Sequence, residues 1–268
     1  MELKIINLNC FESPLSADRK ARIWDLIPKI ISLNADIICL QEINFSKTAT
    51  RVSEMFRKEG YSTFQNADRL FNRGGLFLAT KFPIKESAFS RFTDQGTLDS
   101  LQLTDRLLGK GFQRVVLSTN EGDIVLYNVH LVNVYEKDSK SQKKVLTSQF
   151  NQLIEEVNIE KEKLIVSGDF NFFPDDVLHA ELLKVNNLVD PLSDSGSITI
   201  SRYNTHKNGF YKIVSDGKTD YTLVSKDLSG EIRQKVIFDE LFNINGEKMN
   251  LSDHFGLLTL GHFERLIA

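Results

Sequence analysis

The sequence predicts an α/β protein in which two mixed β-sheets pack face to face between helices. The chain has 268 residues, a length that α/β folds with two packed sheets reach as one domain. Hydrophobic residues make up 41% and charged residues 26%, which is typical of a globular protein with a large core. Neither an internal repeat nor a linker rich in proline, glycine or serine divides the chain. We therefore expect one domain over residues 1–268.

The order of the candidate elements predicts the mixed pairing. The chain begins with α/β units, continues with a β-rich middle and one further α/β unit, and ends in a β-rich region. Strands that follow one another without intervening helices favour antiparallel or mixed sheets over a doubly wound parallel sheet.

The first part of the chain alternates strands and helices. The predicted elements are a strand at Leu3–Leu8, a helix that starts at Ser16 or Asp18, a strand at Asp36–Leu40 and a helix from Ser46 to Gly60. Apolar residues at helical spacing predict both helices, and Ser46 should cap the second. Pro28 lies inside the first helix and should kink it or divide it in two.

The remainder is dominated by short strand-like runs separated by Gly, Pro, Asn and Asp. Strands are predicted at Tyr61–Gln65, Gly75–Thr80, Lys85–Phe92, Gly111–Ser118, Asp123–Leu131, Lys163–Ser167, Thr219–Ser225, Ile232–Asp239 and Leu257–Phe263, with weak strand signals at Ile198–Tyr203. Helices are predicted at Ser139–Val157 and Asp175–Lys184.

The net charge limits which binding partners are expected, and the cysteines and the lack of a visible signal peptide bear on the expected cellular compartment. A net charge of −3 argues against a protein that holds long nucleic acid mainly by electrostatics, although a local basic patch is compatible with it. Cys10 and Cys39 lie in apolar runs, which predicts buried, reduced thiols and no disulfide. Neither a signal peptide nor an apolar run of about 18 residues is visible. We expect a cytoplasmic monomer without a transmembrane segment; secretion stays open if a signal peptide has been removed.

Polar residues follow several predicted strands. Asn9, Glu42 and His130 each come at the end of an apolar run, as do Asp169 and Asn171. If the strand continues to Asn171, its side chain and that of Asp169 point to the same side. The alternatives are ordinary ones: an N-cap or ion pair for Glu42, a core position for His130, and an Asx turn for the GDFN segment. A carboxylate among apolar residues needs a cation, and Mg²⁺ suits such oxygen donors.

Two further candidates lie near the C-terminus. Asp253 and His254 precede the last predicted strand, and an imidazole beside a carboxylate can deprotonate water near neutral pH. Asp-His neighbours also occur on ordinary loops, and Asp220 could be a charge on a strand face. His179, His206 and His262 have no motif around them, so we interpret them as structural or surface residues. Zinc clusters, phosphate loops and nucleophilic-serine turns are not found.

Six motifs give these residues a common interpretation. NLNCF, ICLQEI, YNVHL, GDFN, TDY and LSDHFG occur in this order between residues 7 and 256. As an ordered set they resemble the motif series of the endonuclease/exonuclease/phosphatase superfamily of metal-dependent phosphoesterases. The resemblance implies a four-layer α/β sandwich of the DNase I type, with the site at the top of the two sheets.

The resemblance also implies a role for each candidate. Glu42 would be the main Mg²⁺ ligand, with Asn9 beside it, Asp253 near the metal or its water shell, and Mn²⁺ as an alternative ion. His254 would activate water, Asp220 would orient and charge His254, Asp169 would align the water or help the leaving oxygen, and Asn171 and His130 would donate to phosphoryl oxygens. Asp220 would thereby leave Asp253 free for the metal.

Within the superfamily the chain looks most like the neutral sphingomyelinases. Gly109–Phe112 before a strand, Asn128–Leu131 with Tyr135 shortly after, and GDFN followed by Pro174 carry this likeness. It implies hydrolysis of a phospholipid with release of its head group, and it favours phospholipid over nucleic acid as partner. The alternatives are a nuclease acting on DNA or RNA, including an abasic-site endonuclease, and a phosphatase for small phosphoesters.

The chain departs from this branch in one respect. Bacterial enzymes of the branch carry signal peptides and membrane-bound animal ones carry apolar anchors, and neither is visible in this sequence. Aromatic residues that could contact a membrane are Phe71, Phe77, Phe89 and Phe92. Aromatic residues on strands more often belong to the core. A binding module without activity is a further alternative, which the complete catalytic set argues against.

Overall fold

Two six-stranded β-sheets form the frame of the protein. The computed structural model describes residues 2–14, 16–96, 98, 102–136, 138–161, 163–192, 196–206, 216–228 and 232–262. The strands are β1 (Glu2–Asn9), β2 (Ile37–Gln41), β3 (Ser62–Ala67), β4 (Asn72–Thr80), β5 (Ile84–Arg91), β6 (Gly111–Thr119), β7 (Gly122–His130), β8 (Lys163–Asp169), β9 (Leu188–Val189), β10 (Asp220–Ser225), β11 (Ile232–Ile237), β12 (Phe242–Ile244), β13 (Glu247–Met249) and β14 (Gly256–His262). The helices are α1 (Arg19–Ser32), α2 (Ser46–Lys58), α3 (Gln102–Leu108), α4 (Lys140–Asn158) and α5 (Val177–Leu182), with short 3₁₀ turns at Val185–Asn187 and Lys226–Leu228.

Both sheets have one parallel pair at their centre. The first sheet has the order β11-β14-β1-β2-β4-β3, and the second has the order β5-β6-β7-β8-β10-β9. The parallel pairs are β1 with β2 and β7 with β8, and the other neighbours are antiparallel. In parallel strands the carboxyl ends meet at one edge, which is where sites in α/β folds form. The central strands therefore deliver their last residues to the same end of the molecule.

The sheets pack against each other and are covered by helices on their outer faces. Ile37 and Cys39 of β2 contribute to the core between the sheets, whereas Ile38 and Leu40 pack towards α1 and α2. Helices α4 and α5 cover the second sheet. Strands buried on both faces read as continuous apolar runs. The predicted fold class, a four-layer sandwich of two mixed sheets between helices, is confirmed.

A buried amide network joins the two sheets below the strand ends. The Gln41 amide nitrogen donates to Oδ1 of Asn7 at 2.9 Å and to Oδ1 of Asn128 at 2.8 Å. The Asn128 amide nitrogen donates to Oε1 of Gln113 at 3.0 Å, and all four side chains are fully buried. Oε1 of Gln41 has no hydrogen bond to a described residue, but the paired amides of the network favour one packing arrangement, because sliding of the sheets would leave them unpaired as well. The network therefore fixes the register of the sheets beneath the site.

Several local predictions need correction. Pro28 does not divide α1, which runs unbroken from Arg19 to Ser32; Pro28 is exposed, where water can satisfy the carbonyl that loses its partner. Ser46 does not cap α2, because its hydroxyl donates to the carbonyl oxygen of Asp68. The weak strand predicted at Ile198–Tyr203 is not formed; this segment has only isolated β-bridges at Ile200.

Several short elements were not predicted. They are helix α3, strand β9, the hairpin of β12 and β13 and the two 3₁₀ turns, all short and therefore poor in periodic signal. The two cysteines are free and buried, as predicted. Among the helices of the described residues, we find none that is long and apolar enough to span a membrane. One domain over residues 1–268 remains a prediction.

Candidate active site

The candidate residues converge at the carboxyl ends of the central strands. Asn9 is the last residue of β1, and Glu42 follows β2, whose last residue pairs with Asn9. His130 and Asp169 end β7 and β8 and are paired with each other in register. Asp220 begins β10 and is paired with Asp169 on the other side. The two parallel pairs thus bring residues from distant parts of the chain to one edge.

Asn9 connects the halves of the site. Its amide nitrogen donates to Oε1 of Glu42 at 3.1 Å and to Oδ2 of Asp169 at 3.0 Å. Its amide oxygen accepts a hydrogen bond from the backbone N–H of Phe11 at 3.0 Å. The nitrogen of Asn9, not its oxygen, therefore faces Glu42 in this arrangement. Asn9 is buried and holds carboxylates from both sheets at a fixed separation.

The backbone at Glu42 has a conformation that non-glycine residues seldom adopt. Glu42 lies in the left-handed region with φ +54°, and its carbonyl accepts the N–H of Glu12 at 3.1 Å. A Cβ on Gly75 would lie 2.3 Å from Oδ1 of Asn44 and 3.1 Å from Cα of Glu42, so only glycine fits beside this turn. Unusual backbone of this kind concentrates at functional sites. The turn leaves the Glu42 side chain 23% exposed, at the edge of the buried cluster.

His254 and Asp220 form a hydrogen-bonded pair. Nδ1 of His254 lies 2.8 Å from Oδ2 of Asp220, and Nε2 lies 3.8 Å from Oδ2 of Asp169. Burial alone would lower the pKa of His254, but the charges of Asp220, Asp169 and Asp253 outweigh it and raise the pKa well above its usual value. The contact that the sequence led us to expect between His254 and Asp220 is therefore present.

The loop before His254 is held by hydrogen bonds to β1 and α1. The Ser252 hydroxyl donates to the carbonyl oxygen of Asn9 at 2.6 Å. The Arg22 guanidinium donates to the carbonyl oxygens of Leu251 at 2.5 Å and Phe11 at 2.9 Å, and Arg22 is fully buried. Sequence reasoning missed Arg22. Its position beside the apolar face of a predicted helix could have indicated a structural role, because a buried arginine needs hydrogen-bond acceptors inside the protein.

Negative charge is in excess in the site. The four carboxylates of Glu42, Asp169, Asp220 and Asp253 outnumber the nearby cations, which are His254, Arg22 near Asp253 and Lys110 near Asp169. Oδ1 of Asp220 is buried without a hydrogen bond to any described residue. Burial raises the pKa of Asp169 to about 7 and that of Asp253 to about 6. A divalent cation would offset this repulsion, and Mg²⁺ prefers carboxylate and amide oxygens. The carboxylates of Glu42 and Asp253 therefore fit the metal that the sequence predicts, whereas the amide oxygen of Asn9 accepts from Phe11 and does not face Glu42.

His130 has a partner that sequence reasoning did not assign to the site. The ammonium of Lys110 contacts Nδ1 of His130 at 3.1 Å, also approaches Nε2, and pairs with Oδ1 of Asp105 at 3.3 Å. Burial first, then the charges of Lys110 and His254, lower the pKa of His130 far below its usual value. Burial raises the pKa of Asp105 to about 6. Lys110 could have been recognised from the sequence, because it lies between two glycines just before a buried strand.

Asn171 departs from the predicted geometry. Strand β8 ends at Asp169, and Asn171 has a left-handed φ of +55°, so the two side chains do not share a strand face. The Asn171 N–H donates to Oδ1 of Asp169 at 3.0 Å, which is the Asx turn that the sequence left open. The side-chain amide donates to the carbonyl oxygen of Leu131 at 2.9 Å. The strand ends early because the Asp169 carboxylate takes over as hydrogen-bond partner of the backbone.

Sequence comparison agrees with this geometry. A sequence model of the Endonuclease/Exonuclease/phosphatase family matches residues 6–254. The chain belongs to this family. The match begins in β1 and ends at His254, so it spans all the candidate site residues.

Individual relatives extend the comparison. The chain is 28% identical to a Drosophila melanogaster protein named "Putative neutral sphingomyelinase" over 95% of this chain and 59% of the relative. It is also 28% identical to an inositol phosphosphingolipids phospholipase C of Schizosaccharomyces pombe over 70% of this chain and 45% of the relative. The chain thus spans about half the length of these two relatives.

A solved structure shows the same fold. The crystal structure of sphingomyelinase C from Streptomyces griseocarneus superimposes with a TM-score of 0.72 at 16% identity, covering 98% of this chain and all of the other. The likeness establishes the shared fold.

Proposed function

We propose that the protein hydrolyses a phospholipid phosphodiester of the sphingomyelin class by direct attack of water. The observation that carries this proposal is the Asp220–His254 pair, whose Nε2 is directed towards Asp169 and away from Asp220. A base so placed can take a proton from a water molecule without a covalent intermediate. The products would be the phosphorylated head group and the lipid alcohol.

Proton transfer follows from the hydrogen bond. Asp220 accepts from Nδ1 of His254, which assigns the proton of the neutral ring to Nδ1 and leaves the lone pair of Nε2 free. Once Nε2 takes a proton from water, the Asp220 carboxylate stabilises the resulting imidazolium. Asp169, 3.8 Å from Nε2, is placed to accept a hydrogen bond from the same water and to align it.

The phosphoryl oxygens would be held on the opposite side of the site. Neutral His130 can offer an N–H but no permanent charge, whereas the buried Lys110 beside it carries an ammonium. Donors and charges fixed in advance stabilise the negative charge that builds on the phosphoryl group in the transition state. The side-chain amide of Asn171 would contribute only one of its two protons, since Leu131 accepts the other.

We assign the metal to the Glu42 side of the site. Glu42 and Asp253 would be its protein ligands, with Asn9 beside Glu42. When bound, Mg²⁺ would supply Lewis-acid charge that polarises a phosphoryl oxygen. Asp169, Asp220 and His254 also place ligand atoms within 4.8 Å of one another. A metal there would bind a ring nitrogen of His254 that the proposed proton transfer uses, which is why the Glu42 side is preferred.

The substrate class rests on the relatives and on charge. Both curated relatives are named for enzymes that cleave sphingolipid phosphodiesters. The net charge of −3 disfavours a long nucleic acid as substrate. A phospholipid is therefore the proposed substrate.

A substrate panel tests the function. Sphingomyelin in detergent micelles, lysophospholipid, abasic duplex DNA, single-stranded DNA and inositol phosphates are each incubated with Mg²⁺ and with EDTA. We expect release of phosphocholine from sphingomyelin with Mg²⁺ and none with EDTA. Cleavage of the DNA substrates alone, falling steeply with salt, would identify a nuclease instead.

A further inference from the structure

Two segments beside the candidate site carry leucines that face solvent. Leu70, in the turn before β4, is 64% exposed, and Leu103 and Leu107 of α3 are 40% and 62% exposed. One exposed leucine is unremarkable in a globular protein. Apolar side chains grouped on adjoining segments more often mark a surface that binds a partner.

Hydrogen bonds show that the two segments adjoin. Arg73, at the start of β4, donates to the carbonyl oxygen of Leu107 at 3.3 Å and forms an ion pair with Asp68. The N–H of Leu70 donates to Oδ1 of Asp68 at 2.8 Å, which holds the turn in shape. The turn containing Leu70 and the end of α3 are therefore fixed side by side.

The turn containing Leu70 and helix α3 both contact residues of the candidate site or their neighbours. The inner face of α3 carries Asp105, which pairs with Lys110 next to His130. The carbonyl oxygen of Leu70 accepts the N–H of Ser46 at 3.1 Å, four residues after Glu42. The exposed leucines are thus attached to the same elements that position the two halves of the site.

Cations accompany the leucines. Arg69 adjoins Leu70 and Arg106 adjoins Leu107, and both arginines are exposed. The only carboxylate in the turn, Asp68, is already paired with Arg73. This local excess of positive charge contrasts with the net charge of −3 for the chain. Arginines near an anionic lipid surface each favour binding, and leucines enter its apolar boundary.

We propose that Leu70, Leu103, Leu107, Arg69 and Arg106, here named the leucine–arginine rim, dock the protein on the surface of an anionic phospholipid bilayer. The proposal extends the proposed phospholipid substrate and rests on it. Nucleic acid is the less favoured occupant, because phosphate contacts use the arginines but leave the exposed leucines without a partner. Docking by this rim would bring the site to the layer where phospholipid head groups lie.

Vesicle cosedimentation tests the rim. Wild-type protein, L103S/L107S and R69E/R106E are mixed with vesicles of phosphatidylcholine alone and of phosphatidylcholine with phosphatidylserine. We expect wild type to bind the mixed vesicles more strongly, and L103S/L107S to lower the partition coefficient about tenfold or more because apolar burial is lost. R69E/R106E should cause a similar loss on mixed vesicles and little change on phosphatidylcholine alone.

Matched controls lie at the opposite end of the strands. Ile159 is 70% exposed and lies between α4 and the start of β8, and Lys58 is exposed at the end of α2. Asp169 is at the other end of β8, and Glu42 lies before the start of α2. I159S and K58E should bind vesicles as wild type does. All four variants should keep wild-type thermal unfolding and wild-type hydrolysis of the soluble diester bis-p-nitrophenyl phosphate.

The outcomes separate this proposal from the proposed function. If L103S/L107S binds mixed vesicles as tightly as wild type, the rim is wrong, even where sphingomyelin in micelles is hydrolysed. If wild type binds the vesicles through the rim yet hydrolyses no phospholipid, the substrate is wrong and the docking surface stands. Binding to duplex DNA that R69E/R106E abolishes and L103S/L107S leaves unchanged would overturn the bilayer in favour of nucleic acid.

Discussion

Asp220 accepts a hydrogen bond from Nδ1 of His254 at 2.8 Å, which links the second sheet to the loop that leads into β14 of the first. Asp220 begins β10 in the second sheet, whereas His254 lies two residues before the start of β14 in the first. The Asn9 amide nitrogen, at the end of β1, likewise donates across the sheets to Oδ2 of Asp169, at the end of β8, at 3.0 Å. The base and its partner therefore meet only when the two sheets are packed in register.

Removal of the Asp220 charge should change both rate and pH dependence. His254 accepts a proton only when neutral, so the rate falls as the pH drops below its pKa. Asp220 raises that pKa, and D220N should therefore move the acidic limb of the log kcat/KM profile to lower pH. We also expect kcat to fall about 10²-fold or more. D123N, at the surface ion pair with Lys85, is the control, and an unshifted limb in D220N would contradict the pairing.

Substitution of the base or of its buried neighbour should abolish turnover. H254A removes the proton acceptor, and D169A removes the carboxylate that lies 3.8 Å from Nε2. We expect rates at the background level for both, with circular dichroism spectra like that of wild type. Full activity in either variant would refute the proposed mechanism.

Glu42 should control metal affinity. In E42Q the carboxylate charge is lost, and Mg²⁺ affinity measured by calorimetry should fall at least about tenfold, the lower range seen for indirect metal contacts. Because Mg²⁺ binds the folded chain, it should also raise the melting temperature of wild type and not that of E42Q. E54Q, an exposed glutamate on α2, serves as control. Equal Mg²⁺ stabilisation of E42Q would place the ion elsewhere.

Lys110 should contribute to the rate through its charge. K110M keeps the length of the side chain and removes the ammonium that contacts His130. If Lys110 stabilises the phosphoryl group in the transition state, kcat should fall about 10²-fold with little change in KM. K110R should recover part of the loss. If K110M and K110R both lose thermal stability and lose activity to the same extent, the role of Lys110 is purely structural.

A buried ion pair away from the site should control stability. Asp190 accepts from the Lys218 ammonium at 2.7 and 2.8 Å, and Nε2 of His179 lies 3.3 Å from the same carboxylate. D190N leaves a buried ammonium unpaired, so we expect a loss of about 3–5 kcal/mol in the free energy of unfolding, measured with urea at neutral pH.

The same pair predicts an acid dependence. Burial would raise the pKa of Asp190, but His179 and Lys218 together lower it below its usual 3.8. A carboxylate whose folded pKa is lowered stabilises the protein above the unfolded value and loses this effect as pH falls through the folded one. The difference between wild type and D190N should therefore shrink below about pH 4. A constant difference down to lower pH would exclude this linkage. His179 is thus part of a structural cluster, in agreement with its interpretation from sequence.

Much of the fold could be predicted because the strands are buried on both faces. The runs Ile37–Leu40 and Leu164–Val166 are apolar without interruption, and the observed β2 and β8 contain them. Elements with little periodic signal, such as α3, could not be found in this way. Pro28 does not divide α1, because an exposed proline is tolerated where water serves the freed carbonyl.

The sequence by itself determined which residues carry chemistry, since polar groups at the ends of apolar strands and their ordered motifs can be read along the chain. It did not determine how those groups are paired. Lys110 and Arg22 depend on neighbours 11 to 229 positions away in sequence, and the turn at Asn171 depends on a backbone angle. Only the tertiary structure decided these relationships, because the hydrogen bonds and the shifted pKa values exist once burial and sheet packing bring the groups together.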